Sequence, residues 1–109
     1  MGPEVIKPKN NYQEMAKLLR AMAHPIRLQM LLGLCRSQCN VNKLWQKLKI
    51  TQPLASQHLN RLRRLGLIVA ERRGKEICYQ VKDLRVKKIL QQMCDLFGVP
   101  QPKKLPKEE

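Results

Sequence analysis

The sequence predicts one small, mainly helical domain with a single β-hairpin, in the order ααααββα. Apolar residues recur at helical spacing through most of the 109 residues. A β-rich hairpin signal follows the fourth helical segment, and the length suits one domain only. Only Lys49, Ile50 and Thr51 separate the third and fourth helical segments, which is typical of a helix-turn-helix. A hairpin directly after such a pair defines a winged helix.

The first two helices are predicted from their apolar spacing and from one proline. A single stripe marks the first helix and consists of Met15, Leu18, Leu19 and Met22. Pro25 starts the second helix, which is apolar on nearly all sides and is therefore expected at the centre of the core. Gly33 inside that helix lowers its helix propensity and predicts a closely packed neighbour.

The later elements carry clear start and stop signals. Val41, Leu44, Trp45 and Leu48 predict a short third helix, with Trp45 in the core. Thr51 is a good N-cap for a fourth helix over residues 52–65, which Gly66 ends. Two β-rich runs flank Gly74, and Asp83 caps a last helix. We expect residues 1–10 to form a flexible arm, residues 11–98 the folded domain and residues 99–109 a flexible tail.

The charge balance indicates a polyanionic partner. The net charge is +14 and the pI is about 10.2. Because 43% of the residues are hydrophobic, the chain is not a disordered basic tail. No nucleophile–base set, paired carboxylates or Gly-rich phosphate loop is present, so we do not expect an enzyme. The absence of a signal peptide and of a long apolar run predicts a cytoplasmic, nucleoid-associated protein without a membrane partner.

Residues 50–68 carry the strongest functional signal. Polar side chains suited to reading base edges recur at helical spacing near the start of the fourth helix. They are Gln52, Ser56, Gln57 and Asn60. Basic residues follow that can bind phosphates together with Thr51, namely Arg61, Arg63 and Arg64 on the helix and Arg72, Arg73 and Lys75 on the hairpin. This pattern favours sequence-specific binding of double-stranded DNA, with a non-specific DNA-coating architectural protein as the alternative.

Residues 15–97 resemble the ArsR/SmtB family of winged-helix repressors. The resemblance is carried by three segments, LLRAMAHPIRLQMLL (18–32), TQPLASQHLNRLRRLGLI (51–68) and ERRGKEICYQV (71–81). It implies a homodimer built on the first and last helices, an inverted-repeat operator, and repression relieved by an effector. It also places Gln52, Ser56 and Gln57 at base-reading positions. His58 matches the histidine of the S-x-H-L motif, and packing, a phosphate contact and base reading remain open for it.

The cysteines leave the effector undecided. Asn40 and Asn42 occupy positions where one branch of the family has metal-binding cysteines, and the last helix lacks histidine, so these metal sites are not expected. The remaining candidate effector thiols are Cys35, Cys39 and Cys94. They suit a soft metal or metalloid ion, a dithiol redox or sulfur switch, or simple burial. No cofactor is certain. Arg36 is expected to lower a neighbouring thiol pKa, and a structural role is expected for Cys78.

Overall fold

The computed structural model describes residues 9–36 and 41–100. Within these ranges the chain forms five helices and one antiparallel hairpin in the predicted order, which confirms the winged-helix fold class. The elements are α1 (Lys9–Met22), α2 (Pro25–Arg36), α3 (Val41–Leu48), α4 (Gln52–Arg64), β1 (Ile68–Arg73), β2 (Glu76–Val81) and α5 (Leu84–Phe97). The predicted arm and tail lie largely outside the described residues, although α1 already includes the last two positions of the predicted arm.

Helix α2 lies at the centre of the core, as its sequence predicts. Met30, Leu31 and Leu34 are all fully buried, at 0% exposure. Burying a side chain of this kind stabilises the fold by roughly 1.5–3 kcal/mol. Trp45 of α3, at 5% exposure, belongs to the same cluster of buried residues, which confirms its predicted place in the core.

The turn between α3 and α4 fixes the angle at which α4 leaves the core. The Lys49 N–H donates to the Gln46 carbonyl at 3.0 Å, and the Ile50 N–H donates to the Trp45 carbonyl at 3.2 Å. Lys49 has a φ of 59°, a left-handed conformation that glycine usually supplies at a helix C-terminus. The Thr51 hydroxyl then accepts the Leu54 N–H at 3.3 Å and caps α4, as predicted.

The hairpin is anchored at one end and exposed at the other. Ile68 pairs with Val81 at the base of the hairpin, where both side chains are buried. Arg73 pairs with Glu76 beside the turn, and Gly74 supplies the positive φ of 64° that a tight turn requires. The hairpin therefore projects a basic tip from a buried base.

Gly33 allows α2 and α3 to approach closely. A Cβ atom at this position would lie 2.5 Å from Leu44 Cδ1 and 2.6 Å from Leu44 Cδ2. Such distances are well inside van der Waals contact, so a larger residue must displace Leu44. The predicted close neighbour of Gly33 is therefore Leu44.

We predict that Gly33→Val lowers the free energy of unfolding by about 1–3 kcal/mol, because overpacking pushes Leu44 out of place. Gly33→Ala is the matched control. Its single methyl group meets the mobile end of Leu44, and a gain in helix propensity of up to about 1 kcal/mol offsets the clash. Adding Leu44→Ala to Gly33→Val should recover part of the loss. Urea unfolding followed by circular dichroism measures all four proteins, and wild-type stability of Gly33→Val would contradict the close approach.

Candidate nucleic-acid interface

Helix α4 has one buried face and one exposed polar face. Ala55, Leu59 and Leu62 are buried and hold the helix against the core. The predicted base-reading residues other than His58 are exposed, namely Gln52, Ser56, Gln57 and Asn60. A hydrogen bond of 3.4 Å joins Arg63 Nη1 to the Asn60 side-chain oxygen, so Asn60 has a competing partner within the helix. The start of α4 is thus the part of the helix that presents amide and hydroxyl groups outward.

The C-terminal half of α4 is basic and borders the hairpin. Arg61, Arg63 and Arg64 are all exposed. A shallow groove between α4 and β1 is lined by Arg63 and Arg64 together with Val69. Arginine heads beside an open groove suit the phosphates of a nucleic-acid backbone.

The hairpin adds a second group of basic side chains. Arg72, Arg73 and Lys75 are exposed at its tip. Arg73 forms an ion pair with Glu71 at 3.2 Å, in which both side chains are about half exposed. Exposed pairs of this kind contribute at most about 1 kcal/mol. Arg73 can therefore exchange Glu71 for a phosphate at little cost.

His58 lies differently from the other predicted base-reading residues. It is half-buried, and its ring lies against that of His24, with 4.7 Å between the ring centroids and a tilt of 53°. The pKa of His58 is lowered, first by burial and then by the positive charges of His24, Arg27 and Arg61. This geometry supports packing, one of the three roles left open by the sequence, and base reading by His58 stays a prediction.

Sequence reasoning missed His24 and Arg27. His24 Nδ1 accepts the Ile26 N–H at 3.1 Å and so caps the start of α2. The Arg27 Nε donates to the Ala21 carbonyl at 2.7 Å at the end of α1. The spacing of these residues in the sequence does not predict that they lie close to α4. The segment HPIR does, however, place Pro25 at a helix start between a histidine and a cation, and this signal is available in the sequence.

The structure describes two of the three candidate effector thiols. Cys94 on α5 is buried at 4% exposure, Cys35 on α2 is half-buried, and both carry free thiols. Burial raises the pKa of Cys35, and the charge of Cys94 adds to this rise while Lys87 opposes it. The expected lowering of a thiol pKa is therefore not found at Cys35. Cys39 lies outside the described residues. Cys78, for which a structural role was expected, is fully buried and disulfide-bonded.

Among the described residues, no group of three or more His, Cys, Asp or Glu side chains lies close enough together to hold a metal ion. None of the helices in the same part of the chain is long and apolar enough to cross a membrane.

The helix-turn-helix, the exposed polar edge of α4 and the basic hairpin together define a winged-helix DNA-binding domain. A family model described as bacterial regulatory protein, arsR family, matches residues 24–69. The transcriptional repressor SmtB of Mycobacterium tuberculosis is 40% identical over 76 residues, which cover 70% of this chain and 56% of SmtB. The chain thus spans little more than half the length of that relative.

Two further relatives are matched over most of their length. A biofilm growth-associated repressor of Agrobacterium fabrum is 33% identical over 81% of this chain and 75% of its own. HlyU of Vibrio cholerae, named a transcriptional activator, is 34% identical over 80% of this chain and 87% of its own. A solved HlyU structure from the same organism has a TM-score of 0.77 at 30% identity and covers 84% of this chain and 99% of that one. The chain belongs to the ArsR family of transcriptional regulators, which confirms the resemblance found in its sequence.

Proposed function

We propose that this protein is a sequence-specific transcriptional repressor that binds an inverted-repeat operator as a homodimer. The observation that carries the proposal is the set of exposed polar side chains at the start of α4. They point away from the core because Leu59 and Leu62 on the opposite face of the helix are buried. A helix presented in this way fits the major groove. The names of two relatives support repression, and we propose a cytoplasmic, nucleoid-associated protein.

We assign different roles to the two groups of interface residues. Gln52, Ser56, Gln57 and Asn60 read base edges, because amide and hydroxyl groups match the donor and acceptor pattern of the major groove. Thr51 and the arginines of α4 hold the phosphates beside it, and Arg72, Arg73 and Lys75 do so from the hairpin. A protein that only coats DNA needs the second group and not the first. The exposed amides therefore favour the specific regulator over the architectural alternative.

A second copy of the chain would cover an apolar surface on α1 and α5, which we call the terminal-helix surface. Its large exposed side chains are Tyr12, Met15, Leu19, Met93, Leu96 and Phe97. Phe97 alone is 71% exposed and Tyr12 is 67% exposed. Exposed apolar patches of this kind mark protein interfaces. The two-fold symmetry of a homodimer would also place two copies of α4 on two half-sites.

We predict that Gln57→Ala changes the sequences recovered when the protein selects from a random duplex library. Loss of a bidentate contact should cost about 1–3 kcal/mol on the preferred duplex and much less on random DNA. Glu71→Gln, which releases Arg73 from its ion pair, is the matched control and should strengthen binding to both duplexes. An unchanged preferred sequence in Gln57→Ala would remove the base-reading role. If the wild-type protein binds the selected duplex less than about 10³ times more tightly than random DNA, the non-specific coating protein is favoured.

We further predict that Phe97→Asp converts the dimer into a monomer, because a carboxylate cannot be buried unpaired in an apolar interface. Sedimentation equilibrium measures the mass directly. Ile77→Asp is the control, since Ile77 is also exposed but lies on the hairpin. A dimer that persists in Phe97→Asp, or one that dissociates equally in Ile77→Asp, would place the interface elsewhere.

We propose Cys35 and Cys94 as the effector site, because both are free thiols at the core, Cys35 on α2 and Cys94 on α5, and the charge of Cys94 contributes to the raised pKa of Cys35. A hydroperoxide would oxidise the two thiols to one disulfide, and would itself be reduced to an alcohol and water. Arsenite would instead bind both sulfurs and release one water molecule for each thiol. Either product joins the central helix to a helix of the terminal-helix surface, and so links the effector to dimer geometry.

The expected result is that diamide or arsenite releases the wild-type protein from its selected duplex and that Cys94→Ala resists release. Because burial raises the pKa of Cys35, its thiolate fraction increases with pH, and modification should become faster as the pH rises. Mass spectrometry of intact protein identifies the product. Release of Cys94→Ala at the wild-type reagent concentration would exclude this pair as the effector site.

A further inference from the structure

The His24–His58 contact joins α4, the proposed recognition helix, to the corner between α1 and α2. We call this cluster the histidine corner, and it consists of His24, Arg27, His58 and Arg61. The two rings lie 4.7 Å apart between centroids although their positions in the sequence are distant. They are the two histidines of the chain.

Hydrogen bonding distinguishes the two rings. His24 Nδ1 accepts the Ile26 N–H and so caps the start of α2, a contribution of about 1 kcal/mol. His58 lies half-buried in the middle of α4, away from either end of that helix. Within the histidine corner, His58 is therefore the ring that belongs to α4 itself.

The charged groups that act on His58 are all positive. They come from the α1–α2 turn (His24), from α2 (Arg27) and from α4 itself (Arg61). Arg27 is held in place by its hydrogen bond to the Ala21 carbonyl and by a second, at 3.4 Å, to the Arg20 carbonyl. Arg61 lies one helical turn after His58 and is exposed. The corner therefore concentrates positive charge around a neutral ring.

A nucleic-acid phosphate near Arg61 would favour the protonated form of His58. Arg61 belongs to the proposed phosphate-binding group, so a bound duplex adds negative potential at the same turn of α4. That potential offsets the repulsion between a protonated His58 and the two arginines. Proton binding and DNA binding then assist each other, and linkage requires the effect to be reciprocal.

We propose that operator binding takes up a proton at His58, so that the affinity for DNA increases as the pH falls. This inference rests on the proposed DNA-binding function. Stability of the free protein should change in the opposite direction. The pKa of His58 in the fold lies below its unfolded value, so the unfolded chain binds the proton more tightly. The stabilising contribution is complete above the unfolded pKa and is lost as the pH falls through the folded one.

The test uses the full chain and a duplex that it selects from a random library. Fluorescence anisotropy gives Kd at constant ionic strength between about pH 8 and about pH 6. We expect the affinity to rise several-fold, with a limit of about tenfold per pH unit for one proton. Calorimetry in two buffers of different ionisation enthalpy should show net proton uptake. Nuclear magnetic resonance of the histidine rings should give a higher pKa for His58 in the complex than in the free protein.

Two variants separate His58 from other sources of pH dependence. His58→Gln keeps a polar side chain without a titrating ring, and the pH dependence of Kd should disappear in it. His24→Asn keeps an N-capping group and leaves His58 able to titrate, so the pH dependence should persist with its midpoint at higher pH.

Several outcomes would overturn the proposal. These are a pH-independent Kd for the wild-type protein, proton release on binding, or a pH dependence that survives in His58→Gln. If His58→Gln does not fold, equal pKa values for His58 in the free and bound wild-type protein overturn it instead. Failure to bind any duplex at every pH would refute the proposed function itself, and is thereby distinguished from failure of the proton linkage.

Discussion

The burial of Met30, Leu31 and Leu34 on α2 is the constraint on which the rest of the domain depends. These three apolar side chains are fully buried while Gln29 on the same helix is exposed, so α2 is stable only when other elements cover its apolar residues. Gly33 then lets α3 approach closely enough for Leu44 to fill the space that a side chain would occupy. Because α3 and α4 are joined by a capped turn of fixed geometry, the position of α2 also determines which residues of α4 face outward.

The interface is assembled from exposed side chains on a rigid support, and its positive charge is a cost to the free protein. Arg27 and Arg61 repel one another, and Arg27 has a lowered pKa because of burial and this repulsion. Such an arrangement is tolerable when the physiological partner is a polyanion that neutralises it. The same positive charges lower the pKa of the half-buried His58, and the proposed proton uptake on DNA binding depends on their being neutralised.

The proposed effector and dimer sites lie on other elements than the proposed DNA contacts. Cys35 lies on α2 and Cys94 on α5, while α1 and α5 carry the exposed apolar residues. Helix α2 is common to the proposed effector site and the proposed DNA contacts, because it carries Cys35 and its first turn also supports the histidine corner. A covalent change at Cys35 would therefore alter the helix whose start lies against His58 of α4, and we propose this as the physical route between effector and DNA contacts.

The sequence by itself determined the order of the elements, the central place of α2, the capped start of α4 and the polar edge of Gln52, Ser56 and Gln57. Each of these depends on local spacing, capping or periodicity, which neighbouring residues fix. Only the tertiary structure decided that His58 faces His24, that Arg27 acts on both His58 and Arg61, and that burial raises the pKa of Cys35. These depend on contacts between residues distant in the chain, where burial and the charge of neighbours, rather than residue type, set the chemistry.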